Sequence, residues 1–255
     1  MAVRQEDKKE KIIIRNLSKT FHTKDKEVPV LKDLNLTVYE NEFLVILGPG
    51  QSGKTVLLNI ISELETESSG EIIFTDGRPK LGDLGIVFQQ YALFPWKTVM
   101  GNVEINAKFK GVKKEERQKA AQAYIDMVGL HGFEKSLPKE LSGGMKQRVG
   151  IARAYATESD ILLMDEPFGA LDAQTRYQME EEILKIWENK KRTVIFVTNN
   201  VEEAIYMGDR IVLLGGTPTT IKEIYTPDMP RPRKQTSPEF LALRNTIVDN
   251  TDMNL

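Results

Sequence analysis

The 255-residue sequence has no cysteine and only two histidines, His22 and His131. The lack of cysteine excludes disulfides, thiolate metal sites and a cysteine nucleophile, and fits a reducing compartment. An excess of one charge is also missing: 35 Lys and Arg stand against 37 Asp and Glu, a formal net charge of -2. That balance removes the electrostatic case for a dedicated nucleic-acid binder. No run approaches the roughly 20 apolar residues needed to span a bilayer. The first eleven residues are charged where a secretory signal would be apolar. If the protein works at a membrane, a partner is expected to hold it there. Hydrophobic residues at 40% and charged ones at 28% suit a buried core rather than general disorder. A chain of this length buries such a core without staples, as one large domain or one domain with a subdomain.

Short apolar runs at 12–14, 43–47, 85–88, 161–164, 193–197 and 210–214 read as strands covered on both faces. Helical patterns lie between them at 55–64, 115–128 and 174–190. In the last of these, Met179, Ile183 and Trp187 form a stripe best read as core contact. The alternation predicts a mostly parallel, layered α/β sheet. From 91 to 156 helix formers replace the strand signal, so a helical subdomain is expected there. Beyond 225, Pro227, Pro230, Pro232 and Pro238 predict an extended tail, with one or two helical turns over 240–247. The sequence holds no internal repeat and no low-complexity segment.

Gly48-Pro49-Gly50-Gln51-Ser52-Gly53-Lys54-Thr55 follows the 43–47 strand and opens a helical pattern. Background frequencies give such a match in on the order of 1% of chains this long, so it stands above chance. The glycines let successive N–H groups turn inward onto phosphate oxygens, and the helix N-terminus adds partial positive charge. Lys54 can reach β- and γ-phosphates, and Thr55 offers a hydroxyl to Mg²⁺. The run Ile161-Leu162-Leu163-Met164-Asp165-Glu166 puts Asp165 at the carboxyl end of a strand, where it can hold Mg²⁺. Glu166, on the strand's other side, could orient or deprotonate an attacking water. Acids at strand ends are common in themselves; beside a phosphate loop they carry weight.

Leu141-Ser142-Gly143-Gly144-Met145-Lys146-Gln147-Arg148, just ahead of the Asp165-Glu166 strand, resembles the signature of ABC-type ATPases. The resemblance runs almost the whole chain. It implies an α/β P-loop fold of ABC type: a parallel-sheet core, an inserted helical subdomain and an N-terminal antiparallel β region. It places Phe21 where the family stacks an aromatic on adenine, and Gln89 at the loop glutamine that serves metal and water. Ala170-Leu171-Asp172 falls on the segment that crosses the dimer contact. A finer likeness, in Leu93-Phe94-Pro95-Trp96 and in Pro230-Arg231-Pro232-Arg233 with the stretch 236–244, is to the importer ATPases of the nitrate, sulfonate, taurine and bicarbonate group. Ser142, Gly143 and Gly144 precede a helix expected over 145–156 and form a second phosphate cradle. In the family this cradle closes on the nucleotide of the opposite subunit, so a lone chain is expected to bind ATP but hydrolyse it poorly.

The sequence departs from the family at three places. Asn199 stands where a histidine normally follows the threonine after the 193–197 strand. Its amide can donate to a γ-phosphate but cannot carry a proton. Two readings stay open. Glu166 suffices as base with Asn199 as positioner, which is favoured, or the protein binds ATP chiefly to drive closure as a low-turnover or regulatory module. Gln51 replaces a usual glycine, with Gly50 expected to take the strained dihedrals, and Val56 replaces a hydroxyl residue; together they predict a modest loss of affinity.

The resemblance implies ATP and Mg²⁺ as ligands and a second ATPase subunit, identical or related. It also implies permease subunits, an extracytoplasmic solute-binding protein met indirectly, and a peripheral place on the cytoplasmic face of the cell membrane. No nucleic-acid partner is expected. Residues 1–225 are assigned to the ATPase domain, with the helical subdomain at about 91–156, and 226–255 to a C-terminal extension expected to pack on the core. Trp96 stays open between core packing and contact with a permease helix. A non-transport ABC protein would be expected to show paired cassettes or a long inserted coiled coil, and the sequence shows neither.

Overall fold

The structure, a computed structural model, describes residues 8–24, 26–79, 83–169 and 171–251. The chain divides into two compact units, Met1–Arg78 with Thr193–Leu255, and Pro79–Arg192. Among the described residues no helix is long and apolar enough to cross a membrane.

The first unit opens with β1 (Glu10–His22) and β2 (Glu27–Tyr39), paired antiparallel. Then come β3 (Phe43–Leu47), α1 (Lys54–Ile61) and β4 (Ser69–Phe74), the last pairing with the other edge of β1. The antiparallel sheet β2-β1-β4 is the N-terminal β region that the resemblance implies. Apolar periodicity had marked only 12–14 of it. Register shifts break the alternation of β1 and β2, and Asn16 and Asp33 sit at φ 47, so the two-residue pattern never runs long enough to read. In contrast β3 is buried at every residue and is legible from end to end.

The second unit holds β5 (Gly85–Val87), α2 (Val99–Val103), α3 (Ile105–Phe109), α4 (Lys114–Met127), α5 (Gly143–Tyr155), β6 (Ile161–Asp165) and α6 (Ala173–Asn189). β5 and β6 pair in parallel, Gly85 opposite Leu162. A Cβ on Gly85 would lie 2.4 Å from Leu162 Cδ2 and 2.7 Å from the Ala154 carbonyl, so glycine is what lets strand and α5 approach. On α6, Met179, Ile183 and Trp187 are buried, as a core stripe should be. The Trp187 indole N–H donates to the Arg192 carbonyl at 2.7 Å.

The chain returns to the first unit with β7 (Thr193–Thr198), α7 (Val201–Met207), β8 (Arg210–Gly215), β9 (Thr220–Tyr225) and α8 (Pro238–Asn250). β7 and β8 flank β3 in parallel, and β9 closes that edge antiparallel to β8. Leu, Ile, Val and Phe of β3, β7 and β8 are wholly buried, each worth roughly 1.5–3 kcal/mol. A bidentate Arg210–Glu42 pair, also buried, joins the first residue of β8 to the turn after β2. β9 escaped the sequence because five of its six residues are exposed or half-buried. The tail needs correction. It is irregular only up to Ser237, whose hydroxyl caps α8 by accepting from Phe240 N at 3.3 Å. Pro238, counted among the breakers, occupies the first helical position, where its missing N–H costs nothing. Phe240 and Ile247 of this 13-residue helix are buried, so the segment packs on the unit as expected.

Candidate functional site

The phosphate loop leaves the end of β3, where Leu47 pairs with Thr198 of β7 and Leu213 of β8. Gly53 is the N-cap of α1 at φ 74, and no side chain caps the helix. A Cβ there would lie 2.8 Å from both Leu31 Cδ2 and Val30 Cγ1. Dihedral and space therefore both demand glycine. Gly48 is held by space alone: a Cβ would stand 2.8 Å from Ser52 Oγ. One expectation is overturned here. The left-handed residue is Gln51, at φ 66, while Gly50 is not left-handed and has open space around it. Gln51 is exposed, so its side chain escapes the loop, and the conformation costs about 1–2 kcal/mol.

Lys54 is only 4% exposed, and its Nζ donates to the carbonyls of Gly48 (3.0 Å) and Pro49 (2.7 Å). The ammonium is thus drawn in under the loop. Thr55 is exposed on the first turn of α1, with Val56 half-buried beside it. The Ser52 hydroxyl is buried without a hydrogen-bond partner. An uncapped helix start, glycines no Cβ could replace, an orphaned hydroxyl and a buried ammonium suit a polyphosphate. The Thr55 hydroxyl is a hard oxygen donor of the kind Mg²⁺ prefers.

Phe21 sits near the end of β1 opposite Val28, half-buried, with Lys19 Nζ 4.7 Å from its ring centroid. Asn199 follows β7 directly and is exposed. The turn around it is tightly built. Thr198 Oγ1 donates to Glu203 Oε2 at 2.6 Å and accepts from Asn200 N at 3.0 Å. Asn200 Oδ1 then caps α7 by accepting from Glu202 N and Glu203 N. Sequence reasoning missed Glu203, a buried carboxylate in this turn; only its spacing from Thr198 hints at the contact. Neither histidine takes up a place here. His22 pairs with Glu27, and His131 with Asp126 in the other unit.

In the second unit Asp165 is the last residue of β6 and buried. Glu166 turns away at φ 43, and Gln89 Nε2 donates to its Oε2 at 3.1 Å. The glutamine and the acid, assigned separately from the sequence, are therefore hydrogen-bonded partners. Ala170 lies outside the described residues, while Leu171 is buried and Asp172 is the N-cap of α6. Asp172 accepts from Thr175 N at 2.9 Å and Thr175 Oγ1 at 2.7 Å, and those bonds hold its carboxyl below the usual range.

The signature helix α5 begins two residues earlier than expected. Ser142 is its N-cap, accepting from Met145 N at 3.3 Å, and Gly143 and Gly144 form the first turn. A Cβ on Gly143 would come within 2.8 Å of the Tyr91 hydroxyl, and one on Gly144 within 3.2 Å of Leu171 Cδ2. Tyr91 and Leu171 thus explain why this helix start is made of glycine. Arg153 on α5 donates to the Ala92 carbonyl at 2.6 Å and holds the 91–92 turn against the helix. Trp96 is 72% exposed, its ring 5.7 Å from that of Phe94, so it is no core residue of its unit.

The ABC transporter family model matches residues 31–169. An uncharacterized ABC transporter ATP-binding protein of Methanocaldococcus jannaschii is 50% identical over 244 residues, 94% of this chain and 91% of that protein. The aliphatic sulfonates import ATP-binding protein SsuB of Bacillus cereus is 42% identical over 241 residues, 93% and 94% of the two chains. A solved ATP-binding cassette, dimeric and in a post-hydrolysis state bound to ADP and Pi, superposes with a TM-score of 0.76. That match has 34% identity and covers 88% of this chain and 99% of the other. The fold is therefore the ABC-type P-loop fold, and likeness of this extent goes beyond a shared loop. The chain belongs to the ABC transporter family and is one of its ATP-binding, ATP-hydrolysing subunits.

Proposed function

We propose that this chain is the ATP-binding subunit of an importer, coupling ATP binding and hydrolysis to solute uptake through a partner permease. The observation that carries the reading is near-full-length identity of 42% to a protein named for aliphatic sulfonate import. In this reading residues 1–225 are the ATPase domain, with a helical subdomain at about 91–156, and 226–255 an extension. Two copies, or this chain and a relative, dock beneath the permease on the cytoplasmic face, and an extracytoplasmic protein delivers solute. Exposed Trp96, with half-buried Phe94 beside it, gives the permease an apolar contact.

Phe21 takes the adenine, and the loop from Gly48 to Val56 takes the phosphates through its backbone N–H groups and Lys54. Thr55, Asp165 and Gln89 hold Mg²⁺, which supplies charge neutralisation to the phosphates when bound. Glu166 accepts the proton of a water whose oxygen attacks the γ-phosphorus as the β–γ bridging bond breaks, giving ADP and phosphate. Asn199 donates to a γ-phosphate oxygen. Ser142, Gly143, Gly144 and Asp172 of one copy complete the site of the other. Closure of the pair drives the permease, and hydrolysis reopens it.

Glu166→Gln is expected to bind ATP and accumulate as a closed dimer on size exclusion; monomers in saturating ATP would overturn the clamp. The exposed amide of Asn199 supports a second reading, an ATP-binding module of low turnover. Phosphate release from the permease complex separates the two, and Asn199→His should raise that rate severalfold if the missing titratable group limits it.

A further inference from the structure

The Pro230-Arg231-Pro232-Arg233 run takes no part in the nucleotide chemistry, yet both of its arginines are enclosed. Arg233, 5% exposed, donates through Nη1 to the carbonyls of Ile205 and Gly208 at the C-terminal end of α7. It also donates through Nε to Met229 O at 3.2 Å. Burial first, and then the neighbouring Arg231, hold its guanidinium down to about 10, so it is still charged at neutral pH where the helix end is negative. Arg231 donates to the Met207 carbonyl and pairs with Asp209 Oδ1 at 2.7 Å. Asp209 in turn grips the first residue of β3. Its Oδ2 accepts from Phe43 N at 2.9 Å, and its N donates to Phe43 O at 2.8 Å. At the other end of α7, Arg244 of α8 pairs with Glu202 at 2.9 Å.

These contacts join two elements that matter. β3 ends at Leu47, next to the phosphate loop, and α7 begins at Val201, after its cap Asn200, the residue next to Asn199. With seven residues α7 is under two turns long, too short to hold itself, so its place is set by what grips it. Its end also lies hard against the strand: a Cβ on Gly208 would stand 3.0 Å from Val45 Cγ2.

We propose that the Arg-Pro-Arg segment is a positioning staple, whose two arginines fix α7 on β3 and so set where Asn199 stands relative to the phosphate loop. The proposal rests on Asn199 being the phosphate-facing donor. Arg231 and Arg233 are positioning residues that act on Asn199 through α7 and Asp209.

Amide hydrogen exchange on the full chain tests the mechanical half. Arg231→Met and Arg233→Met should speed exchange at 199–207 by about tenfold while leaving 161–189 unchanged. Unchanged protection at 199–207 in a folded variant overturns the staple. If Arg233→Met does not fold, Asp209→Asn, which cuts only the ion pair with Arg231, gives the same reading. Steady-state phosphate release from the permease complex tests the functional half. Arg231→Met should lower kcat by about tenfold with KM for ATP within about twofold, because the binding loop is untouched. In an Asn199→Ala background the same substitution should cost nothing further. Losses that multiply would mean that the arginines merely stabilise the fold, and would overturn the proposal. If the wild-type complex releases no phosphate, the proposed function is what fails, and the exchange data alone decide the staple.

Discussion

Helices α1 and α5 both begin where a glycine-rich run meets a buried core, and they begin in opposite ways. At α1 the N-cap is Gly53, left-handed and without a side chain, so it makes no side-chain cap bond to the helix start. At α5 the N-cap is Ser142, whose hydroxyl already accepts from Met145 N, with the glycines inside the first turn. The phosphate loop starts its helix without a side-chain cap. The signature satisfies one of its own donors and keeps the serine O–H proton to give. A helix start of the first kind holds an anion unaided, whereas one of the second kind contributes a single group and needs another surface to complete a site.

The largest effect should come from closing the open start. Gly53→Ala forces a Cβ into a left-handed residue and to within 2.8 Å of Leu31 and Val30. The backbone cost is about 1–2 kcal/mol, a drop in Tm of roughly 2–8 °C. ATP affinity should fall at least tenfold, because the N–H groups that face the phosphates move with the turn; equilibrium binding of a fluorescent ATP analogue reads this directly. Affinity within twofold of wild type would mean that α1 does not hold phosphate through its N-terminus.

The contrast also shows how far the sequence reaches. The order of strand, glycine turn and helix around residues 48–55 was legible, since the three are contiguous and glycine at 48 and 53 has a physical reason to be there. Asp165 was legible for the same cause, an apolar run ending in an acid. The start of α5 was not, because Gly143 and Gly144 have poor helix propensity and read as turn until the Ser142 cap is seen to override them. Gln51 misled for a related reason: sequence rules give positive φ to the neighbouring glycine, yet the loop places it on the residue whose side chain has room to leave. The Gln89–Glu166 bond, the Thr198–Glu203 pair and the grip of Arg233 on α7 join residues across turns and long separations. Composition and periodicity carry no trace of such pairs. β2, β4 and β9 failed more simply, through bulges or one-sided exposure that erase the two-residue pattern.

A middle-sized effect is expected at the capped start. Ser142→Ala removes the bond to Met145 N and should cost about 1 kcal/mol of stability, seen as a lower denaturant midpoint with unchanged slope. Its functional loss should take the opposite form from that of Gly53→Ala. Binding of ATP to the single chain should stay within about twofold, while phosphate release from the assembled complex falls by about tenfold or more. Equal losses in both assays would erase the distinction between an open start and a completed one.

The smallest effect concerns a third kind of start, the charged cap. Asp172 opens α6 by accepting from the Thr175 backbone N–H and hydroxyl, the backbone bond being the larger cause of its lowered carboxyl pKa. A pKa depressed on folding stabilises the folded state above the ordinary carboxylate value of about 4, and that stabilisation is lost as pH falls through the depressed value. Asn at this position caps nearly as well but does not titrate. Asp172→Asn should therefore be slightly less stable than wild type at neutral pH, and the gap in urea midpoint should close as the solution is taken from about pH 5 to below about pH 3. The exposed site keeps the gap small, but its direction separates charge from geometry. A gap that is constant with pH would show that the side chain caps α6 by shape alone, as Ser142 does for α5, and that only Gly53 stands apart.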